Sequence, residues 1–178
     1  MIRSNAQLSD SIANVQRVSS ITDESVKKLY ESLRNINTRT LTDELLKIAT
    51  IGGKLGEPAQ DLANFVEAAD KIGIALKEDL GGNIETTLES LGVLVNIFGK
   101  DLPKNAQTTG DKMLYVGNAI DTLSDAGTAS GDFIVDFSKR LAGMNDVAGF
   151  TLPKILGLTA AFQQNQQNIL ENIENSVS

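Results

Sequence analysis

Apolar residues recur at helical spacing along most of the chain. Val26, Leu29, Leu33 and Ile36 fall on one helical face, because side chains three and four residues apart lie on the same side of a helix. Thr22 precedes this run and is a favoured N-cap residue. No window alternates with the period of two that a strand requires. The pattern predicts an all-α fold of about seven to nine helices, most of them shorter than about twenty residues.

The stretch GGKLGEP, from Gly52 to Pro58, interrupts the apolar stripe of the third predicted helix. Gly in a helix interior costs roughly 1 kcal/mol relative to Ala. We expect the helix to end over Gly52, Gly53 and Gly56 and the next helix to begin at Pro58, since Gly is favoured after a helix and Pro in a first turn. Two alternatives stay open. One is a close helix crossing that a Cβ would obstruct, and the other is a phosphate-binding loop, although the Gly-Lys-Ser/Thr ending of such a loop is missing.

The same arrangement recurs downstream, where a constant shift along the sequence places Phe65 over Phe137. Each segment has a helix, a Gly-containing corner, a helix with a central Phe, a loop and a helix with a Leu-Gly step. We predict an N-terminal helical hairpin (residues 1–39) and two similar helical units (residues 40–105 and 106–178), the second with an extended C-terminal helix. Two such units can bury their apolar faces against each other. Both Phe side chains are therefore expected to be largely buried.

The C-terminal run AAFQQNQQNILENIENSVS carries a thin apolar stripe. Phe162, Ile169, Ile173 and Val177 lie at helical spacing, and Gln, Asn, Glu and Ser occupy most of the other positions. We interpret this stripe as a candidate interface between copies of the chain. Folding back onto its own domain and plain disorder are the two alternatives.

Composition limits the chemistry that the chain can perform. Its 178 residues include no Cys and no His, which excludes thiolate nucleophiles, Ser-His-Asp triads and the usual zinc ligands. Acidic pairs at helical spacing, such as Asp132 and Asp136, are typical of solvated helix faces. A sugar-cleaving pair also needs a cleft, usually with aromatic platforms, and the chain has 4% aromatic residues and no Trp. We predict no catalytic, cofactor-binding or metal-binding residues.

The charge of the chain argues against direct binding to nucleic acids or anionic membranes. Sixteen basic residues are spread among 23 acidic ones, and the formal net charge is -7. Phosphate-rich partners require clustered Lys and Arg. The longest apolar stretch, Leu91 to Phe98, is too short to cross a bilayer, so no transmembrane segment is predicted.

A series of segments, in this order, resembles the conserved helical region of phage tail tape measure proteins. The segments are SIANVQRVSSITDESVKKLYESLRNINTRT, ELLKIATIGGKLG, DLANFVEAADKIGIALKEDLGG, GNAIDTLSDAGTASGDFIVDFSKRLAG and FTLPKILGLTAAFQQ. The resemblance extends from Ser11 to Gln164. It is closest to tape measure proteins of phages or prophages of gut bacteria.

The resemblance implies a structural protein of the virion tail without catalytic residues. Its expected partners are copies of itself, the tail tube and the tail-tip or baseplate proteins, and its expected role is tail assembly and length determination inside the tube. Members of the family are usually much longer, and one continuous helix of this chain would reach only about 270 Å. A helical effector or membrane-perturbing protein delivered with a phage or injection machine is the alternative, although the basic amphipathic helix that this function favours is missing.

Overall fold

A computed structural model of the chain describes residues 2–76, 84–100, 102–126, 130–142 and 151–177, with side-chain environments for these ranges except residues 2–6, 142 and 170–177. Within these ranges the chain forms eight helices and no strand. They are α1 (Ile2–Ser19), α2 (Asp23–Arg34), α3 (Thr42–Lys54), α4 (Leu62–Ala75), α5 (Ile84–Phe98), α6 (Thr109–Asp125), α7 (Gly131–Ala142) and α8 (Leu152–Val177). The first seven have 12 to 18 residues and α8 has 26. The predicted all-α fold is confirmed.

Local side-chain hydrogen bonds fix the beginning of two of these helices. At α2, the Oγ1 atom of Thr22 accepts a hydrogen bond from the backbone N–H of Ser25 at 3.2 Å, as the sequence predicts. At α6, Thr108 and Asp111 form a reciprocal capping box with two hydrogen bonds of 3.1 Å. The backbone N–H of Thr108, and then its side chain, lower the pKa of the Asp111 carboxyl. These bonds satisfy N–H groups that the first turn of a helix leaves unpaired.

The α3 helix ends inside the predicted Gly-rich stretch, but only Gly56 terminates it. Gly56 has φ +82°, a left-handed conformation that L side chains rarely adopt. Its N–H donates to the carbonyl of Gly53 at 3.1 Å, and the N–H of Glu57 donates to the carbonyl of Gly52 at 2.9 Å. This pair of bonds is the Schellman pattern, which pairs carbonyl groups that the last turn would otherwise leave free.

Gly52 and Gly53 lie within α3 and do not form the helix end that the sequence analysis expects there. Instead, they allow neighbouring helices to approach α3 closely. A Cβ added at Gly52 would lie 2.7 Å from the Cδ1 atom of Phe65, and one at Gly53 would lie 2.3 Å from the Oγ atom of Ser19. Both distances are too short for non-bonded heavy atoms. The alternative of a close helix crossing therefore applies to Gly52, against α4, and to Gly53, against α1.

Pro58 lies outside α4, in contrast to the first-turn position expected for it. Its carbonyl accepts a hydrogen bond from the N–H of Asp61 at 2.9 Å, which closes a separate turn, and α4 begins at Leu62. Pro153, by comparison, does occupy the first turn of α8. Proline is tolerated in both places because neither requires its missing N–H.

Phe65 lies at the centre of the fold. Its side chain is 1% exposed, and its ring occupies the space that Gly52 leaves on α3. On α6, a Cβ added at Gly110 would be only 3.4 Å from the Cα atom of Phe65. At Phe65, helix α4 therefore lies close to both α3 and α6.

One apolar core connects all three predicted segments. It contains buried side chains from every helix, including Val15 of α1, Leu33 of α2 and Ile155 of α8. Helices α1 and α2 pack mainly on α3 and α4, and α5 packs on α6 and α7. The N-terminal hairpin therefore covers the first helical unit and not the second.

The structure corrects the expectation that Phe137 is largely buried, because its ring stacks between two other rings at the edge of the core and does not lie between two helices as Phe65 does. Phe65 is fully buried, whereas Phe137 is only half-buried. The aligned pair Ile51 and Leu123 shows the same difference, since Ile51 is buried and Leu123 is half-buried. At these two aligned positions the second predicted unit is more exposed than the first.

We predict that Phe65→Ala and Phe137→Ala differ in cost although the two residues align in the repeat. Phe65→Ala opens a cavity in the core and should lower the free energy of unfolding by roughly 3–5 kcal/mol. Phe137→Ala should cost less because its ring is already partly in water. Urea denaturation followed by circular dichroism measures both values, and equal costs would contradict the unequal burial of the two rings.

Candidate functional site

Helix α8 carries the candidate interface residues and extends beyond the core. Its first part packs on α7 and α6, and Leu152, Ile155 and Leu156 in this part are buried. From Gln164 to Ile169, every side chain is exposed. At 1.5 Å per residue its 26 residues extend over about 39 Å. Only the first part of α8 is therefore stabilised by contacts with the described body of the protein.

Polar contacts at both ends of α7 connect it to α8. The hydroxyl groups of Ser138 and Thr159 lie 3.2 Å apart and are fully buried. Thr159 donates to the carbonyl of Ile155 at 2.8 Å, so Ser138 is the donor in the contact between the helices. At the other end of α7, the backbone N–H of Ser130 donates to the Oε1 atom of Gln163 at 3.0 Å. Together these contacts fix the register of the two helices.

With this register, three Phe rings form a stack on the surface. The ring centroids of Phe133 and Phe137 are 5.4 Å apart, and those of Phe137 and Phe162 are 5.2 Å apart. Both pairs have an interplanar angle of 10°. These distances are in the range of favourable aromatic pairs. Half of the six Phe residues of the chain thus lie in this aromatic stack, at the edge of the core.

The aromatic stack continues into an exposed apolar stripe along α8. Leu158 is 47% exposed, Phe162 is 45% exposed and Ile169 is 51% exposed. These three residues, which we call the α8 stripe, lie on one side of the helix by their spacing. Ile173 and Val177 continue the spacing in the sequence, but their side chains lie outside the described residues. An exposed apolar patch of this kind is typical of a surface that meets another molecule.

A groove of about 410 Å³ runs beside the aromatic stack. Phe133 and Phe137 line it together with Asp136, Arg140 and Gln163. Its lining thus combines aromatic rings with polar and charged side chains. The groove and the α8 stripe form one continuous surface, because Phe137 and Phe162 are in contact.

A second groove, of about 350 Å³, lies between α1, α3 and α5. Two exposed salt bridges connect its walls, Lys54 to Glu89 at 3.2 Å and Lys47 to Glu85 at 4.0 Å. Exposed pairs of this kind contribute little to stability. Among the residues that the structure describes, no group of three or more acidic side chains is arranged to hold a metal ion.

Asp70 is a buried acidic residue that the sequence analysis did not single out. It is 2% exposed, and its two carboxylate oxygens accept hydrogen bonds of 2.5 Å from the hydroxyls of Thr38 and Thr40. These bonds attach the loop between α2 and α3 to α4. Two features of the sequence could have indicated this contact: an Asp on the apolar face of α4, and the Thr-Arg-Thr segment in the loop before α3. The arrangement is structural, since both oxygens already have partners.

None of the helices in the described ranges is long and apolar enough to span a bilayer. Comparisons with protein-family models, with curated proteins and with solved structures found no match to this chain. The resemblance to tape measure proteins therefore stays a hypothesis.

We predict that Thr38→Val with Thr40→Val destabilises the protein by roughly 3–5 kcal/mol, because it leaves a buried carboxylate without donors. Adding Asp70→Asn to this double variant should restore part of the loss, since a neutral amide costs less to bury than a charge. Chemical denaturation of the three chains measures the effect. A triple variant less stable than the double variant would rule out this role for Asp70.

Proposed function

We propose that this chain is a structural assembly module of a phage or prophage tail tape measure protein. The observation that carries the proposal is the ordered series of segments from Ser11 to Gln164 that resembles the conserved helical region of that family. In this role the chain is not an enzyme. It acts in the tail of the virion, during tail assembly and length determination.

The all-helical fold supports this proposal. A tail assembly module needs a stable body and a surface for other chains, and the described residues offer one shared core and an exposed apolar surface on α7 and α8. Of the acidic side chains that line the other groove, Glu85 and Glu89 form salt bridges and Asp43 accepts a hydrogen bond from the hydroxyl of Ser11. The buried Asp70 accepts hydrogen bonds from two hydroxyls, which favours a structural role over acid–base chemistry.

The dimensions of the fold favour assembly over direct measurement of length. The longest helix, α8, extends over about 39 Å, and the other helices pack around a common core. A ruler must be extended along the tail tube. We therefore propose that this module contacts copies of itself, the tube and the tail-tip or baseplate proteins, and that extended parts of a tape measure protein set the length.

We predict that peptides of this chain co-purify with assembled tails. Particles from a lysate of the strain that encodes it are separated on a density gradient and analysed by mass spectrometry. The chain should appear in the fractions that contain tube and tip proteins, and it should be depleted from particles that have ejected their DNA. Detection only in the cell debris would contradict the proposal.

Vesicle leakage separates this proposal from the membrane-perturbing alternative. The purified chain is added to vesicles with anionic headgroups that contain a self-quenched dye, and melittin serves as the positive control. An assembly module should release no dye. Release comparable to that of melittin would favour the alternative.

A further inference from the structure

We propose that the groove beside the aromatic stack binds a helix of another protein, and that this helix lies along α7 as α6 lies along α4. The side of α7 that it covers, which we call the open side of α7, carries Asp136, Phe137 and Arg140, and all three line the groove. The biological setting, a tail module that binds other chains, rests on the proposed function. The geometry rests on packing and charge within this chain.

One kind of helix contact occurs twice in the described fold. Helices α1 and α3 form one of the two most extensive helix pairs, and α4 and α6 form the other. In each pair the later helix approaches through a glycine. A Cβ added at Gly53 of α3 would lie 2.7 Å from the Cγ2 atom of Val18, and one at Gly110 of α6 would lie 3.4 Å from the Cα atom of Phe65. The first members of the two pairs, α1 and α4, are three helices apart in the chain, so α7 is the next helix of this series.

The open side of α7 aligns with the side of α4 that α6 covers. The shift that places Phe65 over Phe137 also places Ala68 over Arg140. On α4, a Cβ added at Gly110 would be 3.3 Å from the Cβ atom of Ala68, and Ala68 is buried. Arg140, in contrast, is exposed, and Phe137 is half-buried. Among the described helices, none therefore covers α7 in the way that α6 covers α4.

Helix α8 packs beside the open side of α7 and leaves the groove unfilled. The buried contact between Ser138 and Thr159 fixes the side of α7 on which α8 lies. Gln163 of α8 lines the groove, and a volume of about 410 Å³ remains there. A Cβ added at Gly157 of α8 would have no neighbour within 4 Å, so α8 does not repeat the glycine contact. A place for a further helix is therefore left on α7.

Charge on the open side of α7 narrows the chemistry of the partner. Asp136 and Arg140 are about one helical turn apart, and neither forms an ion pair within the described residues. The aligned residues on α4, Asn64 and Ala68, are uncharged. An uncharged partner would remove water from both charges of α7 without replacing it. A helix with a carboxylate opposite Arg140 and a Lys or Arg opposite Asp136 would pair both charges.

A second folded copy of the chain does not offer such a helix. Gly53 and Gly110 already face α1 and α4 inside each copy, so α3 and α6 are not free to bind elsewhere. Gly157 of α8 is exposed, but residues 152–170 of α8 contain no Asp or Glu that could pair with Arg140. The partner that fits this groove is therefore a helix of a different protein, with a small residue at the contact and a charge of each sign beside it.

A stapled peptide with the sequence of α6 serves as the probe, since α6 is the helix that covers the aligned side of α4. It comprises residues 108–126, with Asp121→Asn and Asp125→Asn to reduce repulsion by the acidic chain. Its first glycine is followed by one Asp and one Lys. A hydrocarbon staple joins positions 115 and 122, which are exposed on α6, because short helices are marginal in water without support.

A nuclear magnetic resonance titration of the isotope-labelled full chain measures the binding. The peptide should shift the amide signals of Asp136, Phe137 and Arg140 and leave those of α2 unchanged. Arg140→Glu should weaken binding about fivefold, because it turns an attractive contact into a repulsive one. Lys27→Glu, at an exposed position on α2, changes the net charge equally and should leave the affinity unchanged. Gly110→Leu in the peptide should weaken binding more than about tenfold, since the added side chain has no space at the contact.

Several results would overturn the proposal. They are the absence of any shift at the highest soluble peptide concentration, and an Arg140→Glu chain that binds the peptide as tightly as the wild type. Shifts confined to α4 would mean that the peptide replaces α6 in its own place, and α7 signals that change when the chain alone is concentrated would mean that a second copy occupies the groove. Circular dichroism melting checks that both chain variants stay folded. The test uses the isolated chain, so its failure leaves the co-purification experiment as an independent test of the proposed function.

Discussion

The contact between Phe65 and Gly52 is the constraint on which the rest of the fold depends. The ring of Phe65 occupies the space that a Cβ at Gly52 would fill, and the backbone of the same residue is approached by Gly110 of α6. Helices α3, α4 and α6 therefore meet around one side chain that is nearly inaccessible to solvent. Interiors are close-packed, so an added methyl group at such a point has no free volume to enter. The Schellman turn at Gly56 then directs the chain from α3 into α4.

The two N-terminal helices pack on the first of the two predicted helical units. Helices α1 and α2 cover the first unit, where Gly53 lets α1 approach α3 closely. The second unit has α5 as a neighbour but no corresponding cover from α1 and α2. Phe65 is buried between α3 and α6, whereas its aligned residue Phe137 is half-buried and stacks between Phe133 and Phe162 at the edge of the core.

Much of the fold could be predicted from sequence because helical periodicity and capping are local. Thr22 begins α2 as expected, and the class of fold follows from the spacing of apolar residues. The roles of the glycines could not be predicted individually. Gly52 and Gly56 have the same side chain, and only their tertiary neighbours separate a helix crossing from a helix end. Exposure of Phe137 and pairing of Asp70 with Thr38 and Thr40 also depend on helices and loops that are distant in sequence.

A double-mutant cycle between Gly52 and Phe65 tests the central contact most directly. Gly52→Ala is made in the wild type and in a Phe65→Leu chain, and Gly157→Ala, where an added Cβ has no neighbour within 4 Å, serves as the control. With Phe65 present, we expect Gly52→Ala to cost about 1–3 kcal/mol through overpacking. With Leu at position 65, the cost should fall markedly, and Gly157→Ala should be neutral or stabilising by up to about 1 kcal/mol in both backgrounds. If Gly52→Ala lowers the free energy of unfolding equally in both backgrounds, the claim that the ring of Phe65 occupies the space beside Gly52 is wrong.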